Sequence, residues 1–205
     1  MSGFDWIVPV ILTVITAATP LVFAGIGELV TEKSGVLNLG IEGMMLVGAV
    51  SGFIAATLTG NYFLAVAAAA LAGAVMAFLF GILTLSLMAN QVATGLALTL
   101  FCVGLSALMG QEFVGTPVPA LVQLNIPGLS DIPFVGPILF AQDALVYLSF
   151  FMVAAVSWFL YKTKAGLILR AVGDSHDAAH SIGYPVIGIR YLAVMFGGAM
   201  SGIGG

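Results

Sequence analysis

Charge is what this chain of 205 residues lacks most: it has 5 Lys and Arg and 9 Asp and Glu, so that 7% of it is charged and 61% hydrophobic. An ordinary soluble domain carries about 25% charged residues. So few charges cannot cover the surface of a water-soluble globule, and a mean hydropathy of +1.18 puts the chain in lipid. Cysteine is almost absent. Cys102 stands alone, which excludes an intrachain disulfide and leaves the redox compartment unread. MSGFDWIVPV has no basic region ahead of its apolar run, which argues against a cleaved signal peptide. No G-x-x-x-x-G-K-[ST] loop occurs to cradle nucleotide phosphates, and no basic patch with interleaved aromatics suggests a nucleic acid partner. There is no low-complexity linker and no soluble domain.

What is there is a series of apolar runs, each near the roughly 20 residues that a bilayer crossing needs. Spans are expected over Trp6–Gly27 with a kink at Pro20, Ile41–Thr59, Tyr62–Met88, Gln91–Met109 and Asp143–Tyr161, and from Tyr191 onward. The expectation is an all-α, polytopic bundle of about six spans. From Tyr191 to Gly205 a helix covers only about 22 Å, so 1–205 reads as one transmembrane domain cut short at its C-terminus. Small residues every four positions (Gly48, Gly52, Ala56; Ala69, Gly73, Ala77, Gly81; Gly198, Gly202) let backbones approach closely in a compact bundle. Between the fourth and fifth spans, Gly110 to Gln142 holds five prolines at 117, 119, 127, 133 and 137 and no Lys or Arg. Its apolar part is expected on the membrane surface or lining a mouth of the pathway.

Four of the five basic residues, Lys162, Lys164, Arg170 and Arg190, fall in one polar interval from 162 to 190, and Lys33 is the fifth. Four spans separate Lys33 from that interval, so both lie on one side. Short basic loops stay cytoplasmic, which places the N-terminus and the Pro-rich interval outside. Within 162–190 a short helix is expected from a cap at Asp174, with Asp177 in its first turn, Ala178 and Ala179 inside and Gly183 then Pro185 closing it. Such a helix at a basic membrane face suits a soluble protein partner. His176 and His180, at i and i+4, resemble half of a zinc-protease motif. With Asp in the general-base position and no other histidine in the chain, they are read as solvated or partner-facing, and no metal is expected.

A second polar interval, Gly27 to Gly43, holds Glu28, Glu32, Lys33, Asn38 and Glu42. Glu28, Glu32 and Lys33 read as a solvated turn. Asn38 and Glu42 have apolar neighbours on both sides, and polar groups there either line a pathway or pin irregular backbone. Asn90, Gln91 and Thr94 open the fourth span. They offer hydrogen bonds to a solute, or a helix cap at Asn90; Thr99 reads as bonding back within its own helix.

Three stretches carry a family resemblance. ILRAVGDSHDAAHSIGYPVIGIR is similar to the coupling segment of permeases of bacterial ABC importers of the ribose, nucleoside and branched-chain amino-acid type, with matches at Arg170, Gly173, Asp174, Ala178, Ala179 and Gly183; Ser175-His176 stands where the family commonly has Asn-Pro. Ser34 to Gly43, through Asn38 and Glu42, resembles the signature of the purine-nucleoside branch, and Asn90-Gln91 heads the fourth span as that branch does. The resemblance implies an inner-membrane subunit that is not itself an enzyme, with the 162–190 loop cytoplasmic. Asp174–Gly183 would dock on a separate ABC ATPase subunit, with Ala178 and Ala179 in its cleft and Arg170 tying the loop to the membrane or that partner. It also implies a second permease subunit, identical or different, an extracytoplasmic solute-binding protein, further spans, and no cofactor on this chain, since ATP belongs to the partner. The implied solute is a nucleoside, with a simple sugar or a branched-chain amino acid as the alternative inside the family. An ion-coupled secondary transporter using Glu42 is the alternative outside it.

Overall fold

The computed structural model describes residues 7–117 and 142–205. Among these are six helices long and apolar enough to cross a membrane and no strand, the all-α bundle expected. In chain order the six are α1 (Ile7–Lys33), α2 (Ile41–Thr59), α3 (Tyr62–Gly81), α4 (Gln91–Gly110), α5 (Ala144–Lys162) and α8 (Val186–Gly204), with the short α6 (Lys164–Asp174) and α7 (His176–Ser181) between α5 and α8. Helix α3 continues as a π-helical segment over Ile82–Ser86. Most of the Pro-rich interval, 118–141, lies outside the described residues, and so does the expectation about its membrane-surface role.

Local chemistry sets several boundaries where the sequence puts them. Helix α2 ends at Gly60, left-handed at φ 64°. Asn61 then caps α3 by accepting from the Phe63 N–H at 2.9 Å, and Asn90 caps α4 by accepting from the Ala93 N–H at 3.0 Å. Two boundaries differ. Helix α1 carries Pro20 within it and runs on past Gly27 to Lys33, because Glu28 to Lys33 are helix-compatible and a true stop arrives only at Gly35. Helix α8 starts at Val186 rather than Tyr191, so its 19 residues cover about 28 Å.

Helix α8 is the hub. It packs against α1, α2 and α3, while α4 lies on the outer side of α2 and α5 on the outer side of α1. Lipid gives helices no hydrophobic reason to associate, so close backbone packing through small residues takes over. The small-residue stripes supply it. A Cβ on Gly73 would strike the Gly198 carbonyl, one on Gly198 would lie 2.5 Å from Gly73 O or closer to Ala77, and one on Gly202 would strike the Ala69 carbonyl. Gly48 of α2 meets Gly202 in the same way. Thr31 of α1 bonds its own turn at Gly27 O, 3.0 Å, and reaches Ala193 O of α8 at 3.3 Å.

This packing gathers the polar intervals at one end. The C-terminus of α1, residues 34–40, the start of α4, the end of α5, all of α6 and α7 and the start of α8 lie together, and with them all five Lys and Arg.

Candidate coupling and translocation site

The connection between α1 and α2 is built by an α-helix stop. Gly35 takes φ +81°; its N–H bonds Glu32 O at 2.9 Å while the Val36 N–H bonds Thr31 O at 3.4 Å, the paired closure of a Schellman cap. Residues 36–40 then cross without regular structure, and side chains satisfy their backbone. The Asn38 Oδ1 accepts from the Gly40 N–H at 2.9 Å and its Nδ2 faces Met44 Sδ at 3.6 Å. Glu28 Oε1 accepts from the Asn38 N–H at 3.2 Å, Gln91 Oε1 accepts from the Leu37 N–H at 2.8 Å, and Thr99 Oγ1 donates to Leu39 O at 3.2 Å. Unpaired backbone groups away from water are costly, so these four side chains are what allow irregular chain inside the bundle.

Of the five pathway candidates, three spend polar atoms on protein backbone: Asn38 (1% exposed), Asn90 and Gln91. Thr94 is half-buried on α4, and Glu42 is exposed in the first turn of α2. Two expectations change. Glu28 is not a solvated turn residue: it is half-buried, and its Oε2 is buried with no hydrogen-bond partner among the described residues, because α1 continues and turns that face inward. Thr99 bonds Gly95 O within its helix at 3.2 Å as expected but also bridges to Leu39. Glu28 and Thr99 were missed as site residues because their partner is a backbone segment, which no spacing reveals.

The 162–190 interval folds as two helices. Thr163 caps α6, accepting from the Gly166 N–H at 3.0 Å. Gly166, Leu169 and Val172 face inward and Lys164, Leu167 and Ala171 outward. Gly166 lies directly on the Phe159 carbonyl, where a Cβ has no room. The Arg170 guanidinium stacks over the Tyr161 ring at 5.2 Å; its tie is to the end of α5 in this same chain, since α6 folds back there. The expected cap at Asp174 is corrected: Asp174 ends α6, and Ser175 caps α7, accepting from the Ala178 N–H at 3.4 Å. A serine hydroxyl competes well for this position. Gly183, at φ +94°, ends the turn as expected. Ala178 and Ala179 part company. Ala178 is exposed with Asp174 and Asp177, whereas Ala179 is 3% exposed and packs with Val172 and Val186, so it holds α7 to its own chain and is not available to a partner's cleft. A groove beside α7 is lined by His176, His180, Tyr184 and Pro185. Among the described residues no group of three His, Cys, Asp or Glu could hold a metal ion.

The two intervals touch. A Cβ on Gly173 of α6 would strike the Lys33 carbonyl and lie 3.0 Å from Gly35 N. Arg190, on the first turns of α8, donates from Nε to Ser34 O at 3.1 Å, at the helix C-terminus where free carbonyls favour a cation.

Six apolar helices long enough to cross a membrane among the described residues, with an exposed short helix and every basic residue at one end, define a multi-pass membrane protein. The chain belongs to the family described as branched-chain amino acid transport system / permease component, which matches residues 10–205. It is 41% identical over 195 residues to a putative glucose ABC transporter permease protein of Haloferax volcanii, covering 93% of this chain and 59% of that one. It is 32% identical to a nucleoside ABC transporter permease protein of Lactococcus lactis (96% of this chain, 65% of that one) and 32% identical to a guanosine ABC transporter permease protein of Bacillus subtilis (95% and 66%). The chain thus spans about 59 to 66% of the length of these curated relatives. No solved structure matches it.

Proposed function

We propose that the chain forms part of the solute pathway of an ABC importer, as a permease subunit that moves a nucleoside or a simple sugar across the cell membrane. Transport is driven by ATP hydrolysed on a separate subunit. A second permease subunit completes the pathway, and an extracytoplasmic binding protein delivers the solute. The basic end lies in the cytoplasm and the N-terminus outside, in keeping with cationic short loops.

The observation that carries this reading is α7. It is a short, capped helix standing at the basic end of a chain of this family, with Asp174, Asp177 and Ala178 turned outward. Sugars and nucleosides share a hydroxyl-rich ring, and relatives bearing both names support that class; the Asn38 and Glu42 signature favours the nucleoside. The test is purification of the full-length permease from native membranes, followed by uptake of labelled guanosine, glucose and leucine. A co-purifying ATPase, lost on Ala178→Arg, and ATP-dependent uptake of guanosine or glucose are expected. Leucine uptake alone would move the solute to the amino-acid class. Uptake without any ATPase that collapses with the ion gradient would replace the whole reading with an ion-coupled carrier.

A further inference from the structure

We infer that Gly173, Gly35 and Arg190 form a rigid joint that transmits movement of the α6–α7 segment to the 34–40 segment, where Ser34, Val36, Asn38 and Gly40 are buried, and so couples ATP hydrolysis to the pathway. This rests on the ABC-importer reading and adds to it the residues through which the docking face acts.

The geometry leaves no slack at this point. The backbone of α6 at Gly173 rides on the cap of α1, with room for hydrogen but not for a methyl group between Gly173 and the Lys33 carbonyl. On its other side the same cap meets α8: Arg190 Nε holds Ser34 O, and a Cβ on Gly35 would lie 3.0 Å from the Arg190 guanidinium and 3.2 Å from the Gly173 Cα. Three helices therefore converge on three consecutive residues, Lys33 to Gly35. Downstream the chain is held at every other residue or closer: Leu37 by Gln91, Asn38 by Glu28, Leu39 by Thr99, and Gly40 by Asn38. Close-packed interfaces switch between discrete arrangements rather than deform gradually. A displacement of α6 at Gly173 is passed to the α1 cap, and from there to Asn38 and the entrance of α2. Gly173 and Arg190 do not face outward as Ala178 and Asp177 do, so their part is positioning and not docking.

The experiment uses the full-length permease with its ATPase and second permease subunit in liposomes, and reads ATPase association, ATP hydrolysis and solute moved per ATP. With Gly173→Ala or Arg190→Gln, association and hydrolysis stay and solute per ATP falls about tenfold, in line with couplings altered along such a network; Arg190→Lys restores part of it by keeping a cation on Ser34 O. Arg190→Gln carries the test if Gly173→Ala does not accumulate in the membrane. Unchanged solute per ATP overturns the joint while leaving the importer reading intact, and so does loss of association in step with transport, which would make these residues docking groups. A wild-type permease that assembles with no ATPase overturns the importer reading itself.

Discussion

The two polar intervals of this chain look alike in the sequence and behave in opposite ways in the structure. Residues 34–42 sit in apolar surroundings and turn their polar atoms inward. Asn38 and Gln91 are used up on backbone N–H groups, and Glu42 alone of the signature's polar side chains is exposed. Residues 164–183 do the reverse. Their backbone is satisfied by two short helices with hydroxyl caps at Thr163 and Ser175, and their charges stay outside except Arg170, which is half-buried over Tyr161. Where the chain leaves helical form inside a bundle, side chains must replace water as hydrogen-bond partners. Where it folds as helix at a wet end, they are free to meet a partner. The first region is a built interior; the second is an exposed handle seated on it.

That contrast can be broken most severely at the alanine pair. Ala179→Arg places an unpaired cation against Val172 and Val186, costing about 3 kcal/mol or more, and is expected to deplete the protein from the membrane. Ala178→Arg leaves its amount unchanged, as quantitative blotting of membranes would show; equal depletion by both would mean that α7 does not fold against its own chain.

Next in size is Asn38→Ala, which strands the Gly40 N–H at the entrance to α2. About 2 kcal/mol is at stake, read as a lowered Tm of the purified protein. A Tm for Asn38→Ala within error of the parent would show that the segment does not depend on this bond.

The caps differ by less. Ser175→Ala should loosen α7 by about 1 kcal/mol, visible as faster amide exchange over His176–Ser181, while Asp174→Ala should leave that exchange nearly unchanged. The opposite order would return the cap to Asp174.

Glu42→Gln is the mildest. An exposed carboxylate with this setting shifts stability by no more than about 0.5 kcal/mol, so a change in uptake at constant Tm would mark Glu42 as a pathway group, and unchanged uptake would remove it from the candidates.

Much of this was legible from residues alone. Asn90 as a cap, Gly183 as a stop and the starts of α2 and α4 follow from local rules that need only a few neighbours in the chain. Other features were not. Asp174 and Ser175 are adjacent and both are good caps, and only the fold of α6 decides which side chain lies over the next N–H groups. Gly173 reads as one more glycine until Lys33 O is seen against it. Arg190 reads as a membrane-face cation until the α1 cap is placed beside it.

By itself the sequence determined that the chain lives in lipid, where its apolar helices lie, which end gathers the basic residues and where small residues allow helices to touch. These depend on composition and on periodicity along one helix, which are properties of neighbours in the chain. Only the tertiary structure decided that α8 is the hub, that Ala179 is interior and Ala178 is not, that Glu28 and Thr99 hold the 34–40 segment, and that the two polar intervals meet at Gly35, Gly173 and Arg190. Each is a contact between residues far apart in the chain. In a bundle where most faces are equally apolar, hydropathy cannot choose among partners. Backbone close approach and the need to satisfy every buried N–H and carbonyl make that choice.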